Sequence, residues 1–139
     1  MKILLVEDNK GDQVILQEAF EEAKVECDLS IVGDGEEAIQ FLKKTGKFKE
    51  AQRPNLIILD LNLPKKSGLE VLSEIKRDPE IENIPVIVLS NSTAKKDICS
   101  AYALNASVYV GKPAGFQRFV DFARMIKVFW GELAHYCAC

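Results

Sequence analysis

The chain has 139 residues, of which 47% are hydrophobic and 28% are charged, and this composition is ordinary for one globular domain with a substantial core. The net charge of −3, without a cluster of Lys and Arg, argues against nucleic-acid binding. The apolar runs are too short to cross a bilayer or to act as a secretory signal, so we expect a cytoplasmic protein with reduced cysteines.

The first predicted strand covers Lys2 to Val6, a short apolar run that ends on two carboxylates, Glu7 and Asp8. Asp12 is predicted to cap the helix after this strand, in which apolar residues recur at helical spacing. A second, weaker strand is predicted over 29–32. The apolar stripe of the helix consists of Leu16, Ala19, Phe20 and Ala23.

A helix starting at Asp34-Gly35 and a polar loop over 45–53 lead to the central strand. Leu56 to Leu59 is a run of four apolar residues that stops at Asp60, which is typical of a strand buried on both faces. Charged side chains are rarely buried unless they are paired, and open α/β sheets bind ligands at the carboxyl ends of their strands. Asp60 is therefore predicted to be paired or functional.

The second half of the chain continues the alternation of helices and strands. Five strands alternating with five helices are typical of a parallel sheet covered on both faces. The predicted elements are a helix from Gly68 that ends at Asp78-Pro79, a strand over Pro85 to Ser90, a helix over Ala94 to Leu104 with a left-handed cap at Asn105, a strand over Ser107 to Val110, and a last helix from Phe116 to at least Trp130.

Five side chains with useful chemistry are predicted at one edge of this sheet: Glu7, Asp8, Asp60, Ser90 and Lys112. Any one of them alone would be interpreted as a solvated loop residue. Three carboxylates repel one another unless a cation lies among them, and oxygen ligands without His or Cys favour Mg²⁺. Lys112 and Ser90 are donors suited to phosphoryl oxygens. The set predicts a nucleophilic Asp60 that forms an aspartyl phosphate.

Four motifs occur in order along the chain: Leu5-Val6-Glu7-Asp8-Asn9, then Leu59-Asp60-Leu61-Asn62-Leu63-Pro64 with Gly68, then Leu89-Ser90-Asn91, and Tyr109-Val110-Gly111-Lys112-Pro113. Together they resemble the receiver domain of two-component response regulators, over nearly the whole length. The resemblance implies an α/β fold, a doubly wound (βα)5 flavodoxin-like three-layer sandwich with parallel sheet order 2-1-3-4-5. We expect a receiver domain over 1–130 and a C-terminal helix extension or tail over 131–139.

The resemblance implies roles at the acidic end of the site. Asp60 is the expected phospho-acceptor, which takes a phosphoryl group from a phosphohistidine on a sensor histidine kinase. Asp8, Asp60 and the backbone carbonyl of Asn62 are the expected direct ligands of Mg²⁺, and Glu7 would act on the metal through water. Lys112 would pair with the phosphate.

The resemblance also implies a conformational switch. Ser90 is the expected switch hydroxyl that moves toward the phosphoryl group, and Tyr109 is the aromatic residue that turns inward behind it. The Lys112–Pro113 bond is expected to be cis, which an X-Pro bond permits at a cost of roughly 0.5–1 kcal/mol. Gly111 departs from the family pattern and is expected to loosen the strand end that carries Lys112.

A narrower resemblance concerns the kinase partner. The Asp-Leu-Asn-Leu-Pro turn, the loop over 45–53 and Phe129-Trp130 are similar to those of small stand-alone regulators that partner bacterial and cyanobacterial phytochrome-type kinases. A phytochrome-like kinase is the partner this implies. With no DNA-binding segment after the domain, output is expected through protein contacts or onward phosphotransfer.

The last predicted helix has a wider apolar arc than one buried face requires. The second of the two stripes in this arc predicts a homodimer or kinase-docking surface, and the alternative is a well-buried helix with a few exposed aromatic residues. His135, Cys137 and Cys139 are too few for a closed zinc site and predict a frayed, reduced tail. The arc combines one stripe of Phe119, Ala123, Ile126 and Trp130 with an adjoining stripe of Phe122, Met125 and Phe129.

Three other functions compete with the switch. A phosphatase of the haloacid-dehalogenase type needs a carboxylic acid two residues after its nucleophile, and that position holds Asn62. A flavodoxin-like electron carrier needs a phosphate-binding loop after the first strand, where Glu7 and Asp8 would repel phosphate. A pseudo-receiver, which binds partners without being phosphorylated, stays open as the alternative. We therefore expect a regulator that catalyses only its own phosphotransfer and dephosphorylation.

Overall fold

The computed structural model describes the backbone of residues 1–137 and the side chains of residues 1–129. Strands and helices alternate along the chain, as the sequence predicts. In order they are β1 (Lys2–Val6), α1 (Lys10–Glu22), β2 (Asp28–Val32), α2 (Gly35–Lys43), a short 3₁₀ helix (Gly46–Phe48), β3 (Leu56–Leu59), α3 (Gly68–Arg77), β4 (Val86–Ser90), α4 (Lys95–Ala103), β5 (Val108–Gly111) and α5 (Phe116–Cys137).

The five strands form one parallel sheet in the order β2-β1-β3-β4-β5. This sheet and five α-helices constitute the flavodoxin-like α/β fold, and the predicted strand order is confirmed. The described chain divides into two compact units. One contains the sheet with α2, α3 and α4, and the other contains α1 and α5.

The sequence of each strand reflects its place in the sheet. All four residues of β3 are at most 1% exposed, and β4 is buried along its whole length. The two edge strands, β2 and β5, are only partly buried. Continuous apolar runs therefore occupy the centre of the sheet, as expected for strands covered on both faces.

The helices of the sheet unit begin at side-chain caps in two of three cases. The Asp34 carboxylate accepts a hydrogen bond from the Glu37 N–H at 2.8 Å, and the Ser67 hydroxyl accepts one from the Glu70 N–H at 3.2 Å. Ala94, which precedes α4, makes no side-chain cap. Asn105, just after α4, has the predicted left-handed conformation, with φ of 64°.

In the second unit, α1 and α5 contact each other. The predicted stripe of α1 is buried, but α1 begins at Lys10, so Asp12 lies in its first turn and the predicted cap at Asp12 is wrong. The turn after β1 is shorter than the Asn-Lys-Gly-Asp sequence suggests, because the helix already includes Lys10 and Gly11. No described helix is long and apolar enough to span a membrane.

The wide apolar arc of α5 is partly buried. Phe119, Ala123 and Ile126 of the first predicted stripe are buried, and so is Phe122 of the second. The large apolar side chains that stay between 40% and 60% exposed in the described part of α5 are Phe116, Met125, Val128 and Phe129. The side chain of Trp130 and the predicted tail side chains His135, Cys137 and Cys139 lie outside the described residues.

Candidate functional site

Three carboxylates meet at the carboxyl edge of the sheet. Glu7 and Asp8 follow β1, Asp60 follows β3, and these neighbouring strands are joined by a hydrogen bond from the Asp60 N–H to the Val6 carbonyl at 3.1 Å. One carboxylate oxygen from each acidic residue lies within 4.8 Å of those of the other two. Glu7 and Asp60 are 1% and 5% exposed, whereas Asp8 is exposed. The cluster is therefore anchored in the core and open to solvent at Asp8.

Lys112 lies between the two buried carboxylates. Its Nζ is 2.8 Å from Glu7 Oε2 and 3.0 Å from Asp60 Oδ2, and its side chain is 7% exposed. Strand β5 continues through Gly111, which pairs with Ser90, and the Lys112 N–H donates to the Ser90 carbonyl at 2.9 Å. The backbone thus holds the lysine at the edge where the carboxylates need a positive charge.

Burial raises the pKa of Glu7 to about 7. Removal of the carboxylate from water is the largest cause, and the negative charge of Asp60 acts in the same direction. Hydrogen bonds from Lys112 and from the Asn9 N–H, the latter at 3.0 Å, oppose the rise. Glu7 therefore exchanges a proton near neutral pH in the absence of a metal ion.

The loop between β3 and α3 starts with Asp60 and orients its side chain. The Asn62 N–H donates to Asp60 Oδ1 at 3.1 Å, which fixes the direction of the carboxylate. Gly68 allows the loop to close: a Cβ at this position would lie 2.3 Å from the Asp60 carbonyl oxygen and 2.5 Å from the Leu61 Cα. The Gly68 N–H donates to the Leu61 carbonyl at 2.9 Å, so the start of α3 is fixed against the end of β3.

Ser90 and Tyr109 lie on adjacent strands. Ser90 ends β4 and is fully buried, and its hydroxyl accepts a hydrogen bond from the Ser92 N–H at 3.2 Å. Tyr109 lies in β5, packs its half-buried ring against the core and donates its hydroxyl to the Ser92 carbonyl at 2.7 Å. The two predicted switch residues are thus connected through one residue, Ser92.

Sequence reasoning missed Ser92 and Tyr102. The Tyr102 hydroxyl of α4 accepts a hydrogen bond from the Tyr109 N–H at 3.0 Å on the outer edge of the sheet. Ser92 carried a usable signal, since a Ser shortly before a helix is a common source of capping bonds. Tyr102 carried none, because its partner is a backbone group of an edge strand.

The predicted cis bond before Pro113 is wrong. Among the described residues no peptide bond is cis, and the Lys112–Pro113 bond is trans. The trans isomer is intrinsically favoured by roughly 0.5–1 kcal/mol. Lys112 reaches both buried carboxylates with the bond in this form, so its ion pairs do not require the less favoured isomer.

The chain is similar to known proteins in family, sequence and structure. The family model described as the response regulator receiver domain matches residues 3–124. The response regulator Rcp1 of Synechocystis sp. is 42% identical over 130 residues, which cover 94% of this chain and 88% of Rcp1.

Two solved structures resemble the fold closely. The Mn²⁺-bound form of Rcp1 has a TM-score of 0.86 and 41% identity, with 93% of each chain covered. The phosphorylated cyanobacterial phytochrome response regulator RcpA has a TM-score of 0.87 and 46% identity, covering 93% of this chain and 92% of RcpA.

Proposed function

Because the chain belongs to the response regulator receiver domain family of two-component signalling, we propose that it is a phosphorylation switch whose acceptor is Asp60. The observation that carries the proposal is the convergence of two buried carboxylates, an exposed one and a buried lysine at one sheet edge. The likeness to phosphorylated RcpA supports the same chemistry.

The proposed reaction is transfer of a phosphoryl group from a phosphohistidine. An oxygen of the Asp60 carboxylate attacks phosphorus, the new O–P bond forms as the N–P bond breaks, and the imidazole nitrogen leaves with the bonding electrons. The Asn62 N–H and Lys112 Nζ hold the two Asp60 oxygens, so the carboxylate is oriented before the donor arrives. Lys112 then pairs with a phosphoryl oxygen.

Mg²⁺ is the metal that we propose for this site. The donor set contains only oxygen, and three carboxylates lie close enough together to share one ion. The Mn²⁺-bound structure of Rcp1 supports a divalent cation at such a site. Asp8, Asp60 and the Asn62 carbonyl are the proposed ligands, with Glu7 acting through water. When bound, the ion neutralises charge that develops on the transferring phosphoryl group.

Phosphorylation is proposed to be sensed at Ser90 and Tyr109. The Ser90 hydroxyl turns toward the phosphoryl group, and Tyr109 occupies the space behind it. Both residues contact the loop before α4, so the change reaches the surface formed by α4 and β5.

The proposed donor is a sensor histidine kinase of the phytochrome type. Support comes from the 46% identity to a cyanobacterial phytochrome response regulator. Phosphotransfer from an autophosphorylated phytochrome-type kinase should be faster than from an unrelated histidine kinase of equal activity. Equal rates from both kinases would contradict this part of the proposal and leave the acceptor chemistry intact.

We also propose that the exposed apolar residues of α5, which include Phe116, Val128 and Phe129, serve a homodimer. We further propose that the receiver domain covers 1–130 and that 131–139 form a C-terminal extension. Sedimentation of the wild type and of Val128→Ser tests the dimer, and an identical monomer mass for both would contradict it.

Intact mass after incubation with Mg²⁺ and acetyl phosphate tests the acceptor. The wild type should gain one phosphoryl group, and the gain should disappear in Asp60→Asn and when Mg²⁺ is omitted. Asp28→Asn is the matched control, because Asp28 is an exposed carboxylate at the start of β2, and it should behave as the wild type. A folded wild type that gains nothing would favour the pseudo-receiver, a binding module that is not phosphorylated.

A further inference from the structure

Ser92 lies at the centre of the hydrogen bonds that connect β4, β5 and α4. Its N–H donates to the Ser90 hydroxyl at 3.2 Å, and its carbonyl accepts from the Tyr109 hydroxyl at 2.7 Å. Its own hydroxyl accepts from the Ala94 N–H at 3.2 Å and donates to Asp97 Oδ2 at 2.5 Å. One residue therefore touches both proposed switch side chains and the first turn of α4.

The first turn of α4 depends on its hydrogen bonds to Ser92, whereas α2 and α3 each begin at a residue whose own side chain caps the helix. A helix N-terminus leaves backbone N–H groups without intrahelical partners. Asp34 and Ser67 cap α2 and α3 with their own side chains, whereas Ala94 has no side chain that can do so. The bond from Ser92 to Asp97 instead fastens the preceding loop to the helix.

We propose that Ser92 and Asp97 form a latch that holds the loop over 91–94 so that Tyr109 is bound in its inward position before Asp60 is phosphorylated. Both are positioning residues that act through Tyr109 and Ser90. The proposal rests on the proposed function, because that function assigns the switch roles to Ser90 and Tyr109.

The geometry explains why the latch is needed. The Tyr109 backbone is already held by the Tyr102 hydroxyl, so the Tyr109 side chain is the part that can change position. The Tyr109 hydroxyl donates to the Ser92 carbonyl, and this bond is maintained only if the loop over 91–94 does not move. When the Ser90 hydroxyl turns to the phosphoryl group, the Ser92 N–H loses its acceptor. The bond to Asp97 then remains to hold Ser92 and, with it, Tyr109.

Fluorine NMR of the unphosphorylated full chain labelled with fluorotyrosine tests the latch. The chain has three tyrosines, and Tyr109→Phe assigns the resonance of interest. Ser92→Ala and Asp97→Ala should each lower the ratio of inward to outward Tyr109 about fivefold, which is the effect of one ordinary hydrogen bond. Ser92→Thr keeps the hydroxyl and should restore the wild-type resonance. The double variant should match Ser92→Ala, because the bond that Asp97→Ala removes is already absent from Ser92→Ala.

Thr93→Ala and Lys96→Ala are the matched controls. Thr93 carries an exposed hydroxyl in the same loop, and Lys96 is exposed in the first turn of α4. Both variants should keep the wild-type Tyr109 resonance.

An unchanged Tyr109 resonance in folded Ser92→Ala or Asp97→Ala would overturn the latch. This holds even if the melting temperature falls, because a bond that affects stability without affecting Tyr109 is purely structural. The resonance is measured without a phosphodonor. A failure of the wild type to gain a phosphoryl group therefore contradicts the proposed function, whereas the latch is judged from Tyr109 alone.

Discussion

The carboxyl and amino edges of the parallel sheet differ in how deeply their charged side chains are buried. At the carboxyl edge, the side chains of Glu7 and Asp60 are buried, and both contact the Lys112 side chain, which is 7% exposed. At the amino edge, a cavity of about 220 Å³ has Lys2 and Asp28 in its lining, and these side chains are half-buried and exposed, respectively. The buried charges, rather than this cavity, mark the candidate site. In this fold, charged side chains that are removed from water indicate the candidate site better than an empty cavity does.

The difference arises from the direction of the strands. All strands run in parallel, so the residues after β1, β3 and β5 emerge at the same edge. Hydrogen bonds such as that from the Lys112 N–H to the Ser90 carbonyl extend the sheet into this edge and bury the residues next to the strand ends. At the amino edge the strands begin after polar loops, and their charged residues stay in contact with water.

The largest expected effect is that of removing the buried cation. Lys112→Met removes the ammonium group that contacts both buried carboxylates, and we expect a loss of about 3–5 kcal/mol in the free energy of unfolding without divalent cations. Mg²⁺ should restore part of the loss, because it supplies positive charge at the same edge. Urea unfolding with and without Mg²⁺ measures both effects.

Lys2→Met makes the same change at the amino edge. Lys2 is half-buried beside the cavity, so its effect should stay within about 0.5 kcal/mol. Equal losses for the two variants would mean that the edges do not differ as described.

A smaller effect is expected where the backbone of the site is crowded. In Gly68→Ala the new Cβ would meet the Asp60 carbonyl oxygen at 2.3 Å, and backbone atoms cannot move aside cheaply. We expect a loss of about 2–3 kcal/mol in the free energy of unfolding, together with slower phosphorylation. Gly33→Ala is the control, since nothing lies within 4 Å of its added Cβ, and it should change stability by at most about 1 kcal/mol. Similar losses of stability in Gly68→Ala and Gly33→Ala would show that the surrounding backbone shifts to accommodate the new Cβ at position 68.

The smallest of the three effects is a pH dependence. Burial raises the pKa of Glu7 to about 7 from its ordinary value of 4.5, so the folded protein holds this proton more tightly than the unfolded chain. The stability that Glu7 contributes is complete below pH 4.5 and is lost as pH rises through 7. Without divalent cations, the wild type should lose on the order of 1–2 kcal/mol relative to Glu7→Gln between about pH 5 and pH 8.

Asp28→Asn tests the same pH range at the amino edge. Its stability relative to the wild type should be flat there, because both chains contain Glu7. If the stability difference from the wild type changed with pH in the same way for Asp28→Asn and for Glu7→Gln, the pH dependence would arise from groups other than Glu7. Unfolding midpoints in denaturant, recorded at several pH values, measure the difference.

Much of the fold can be predicted because its signals are local. The sequence predicts Leu56–Leu59 with the bounds that the structure has, since an apolar run ends on a charged residue there. It also predicts a left-handed Asn105, because Asn tolerates that conformation after a helix. The predicted cap at Asp12 and the predicted cis bond at Pro113 are wrong, because the structure has a shorter turn and the favoured trans isomer in their place.

The chemical groups at the carboxyl edge can be named from the sequence alone, because parallel strands place their ends together and the motifs identify the residues. How these groups are connected follows from the packing of the folded chain. Lys112 reaches Asp60 across 52 residues of chain, and Tyr109 reaches Ser92 across 17. The depth of burial that raises the pKa of Glu7 likewise depends on strands distant in sequence. Distances and desolvation arise from packing of the whole sheet, and no local pattern of residues encodes them.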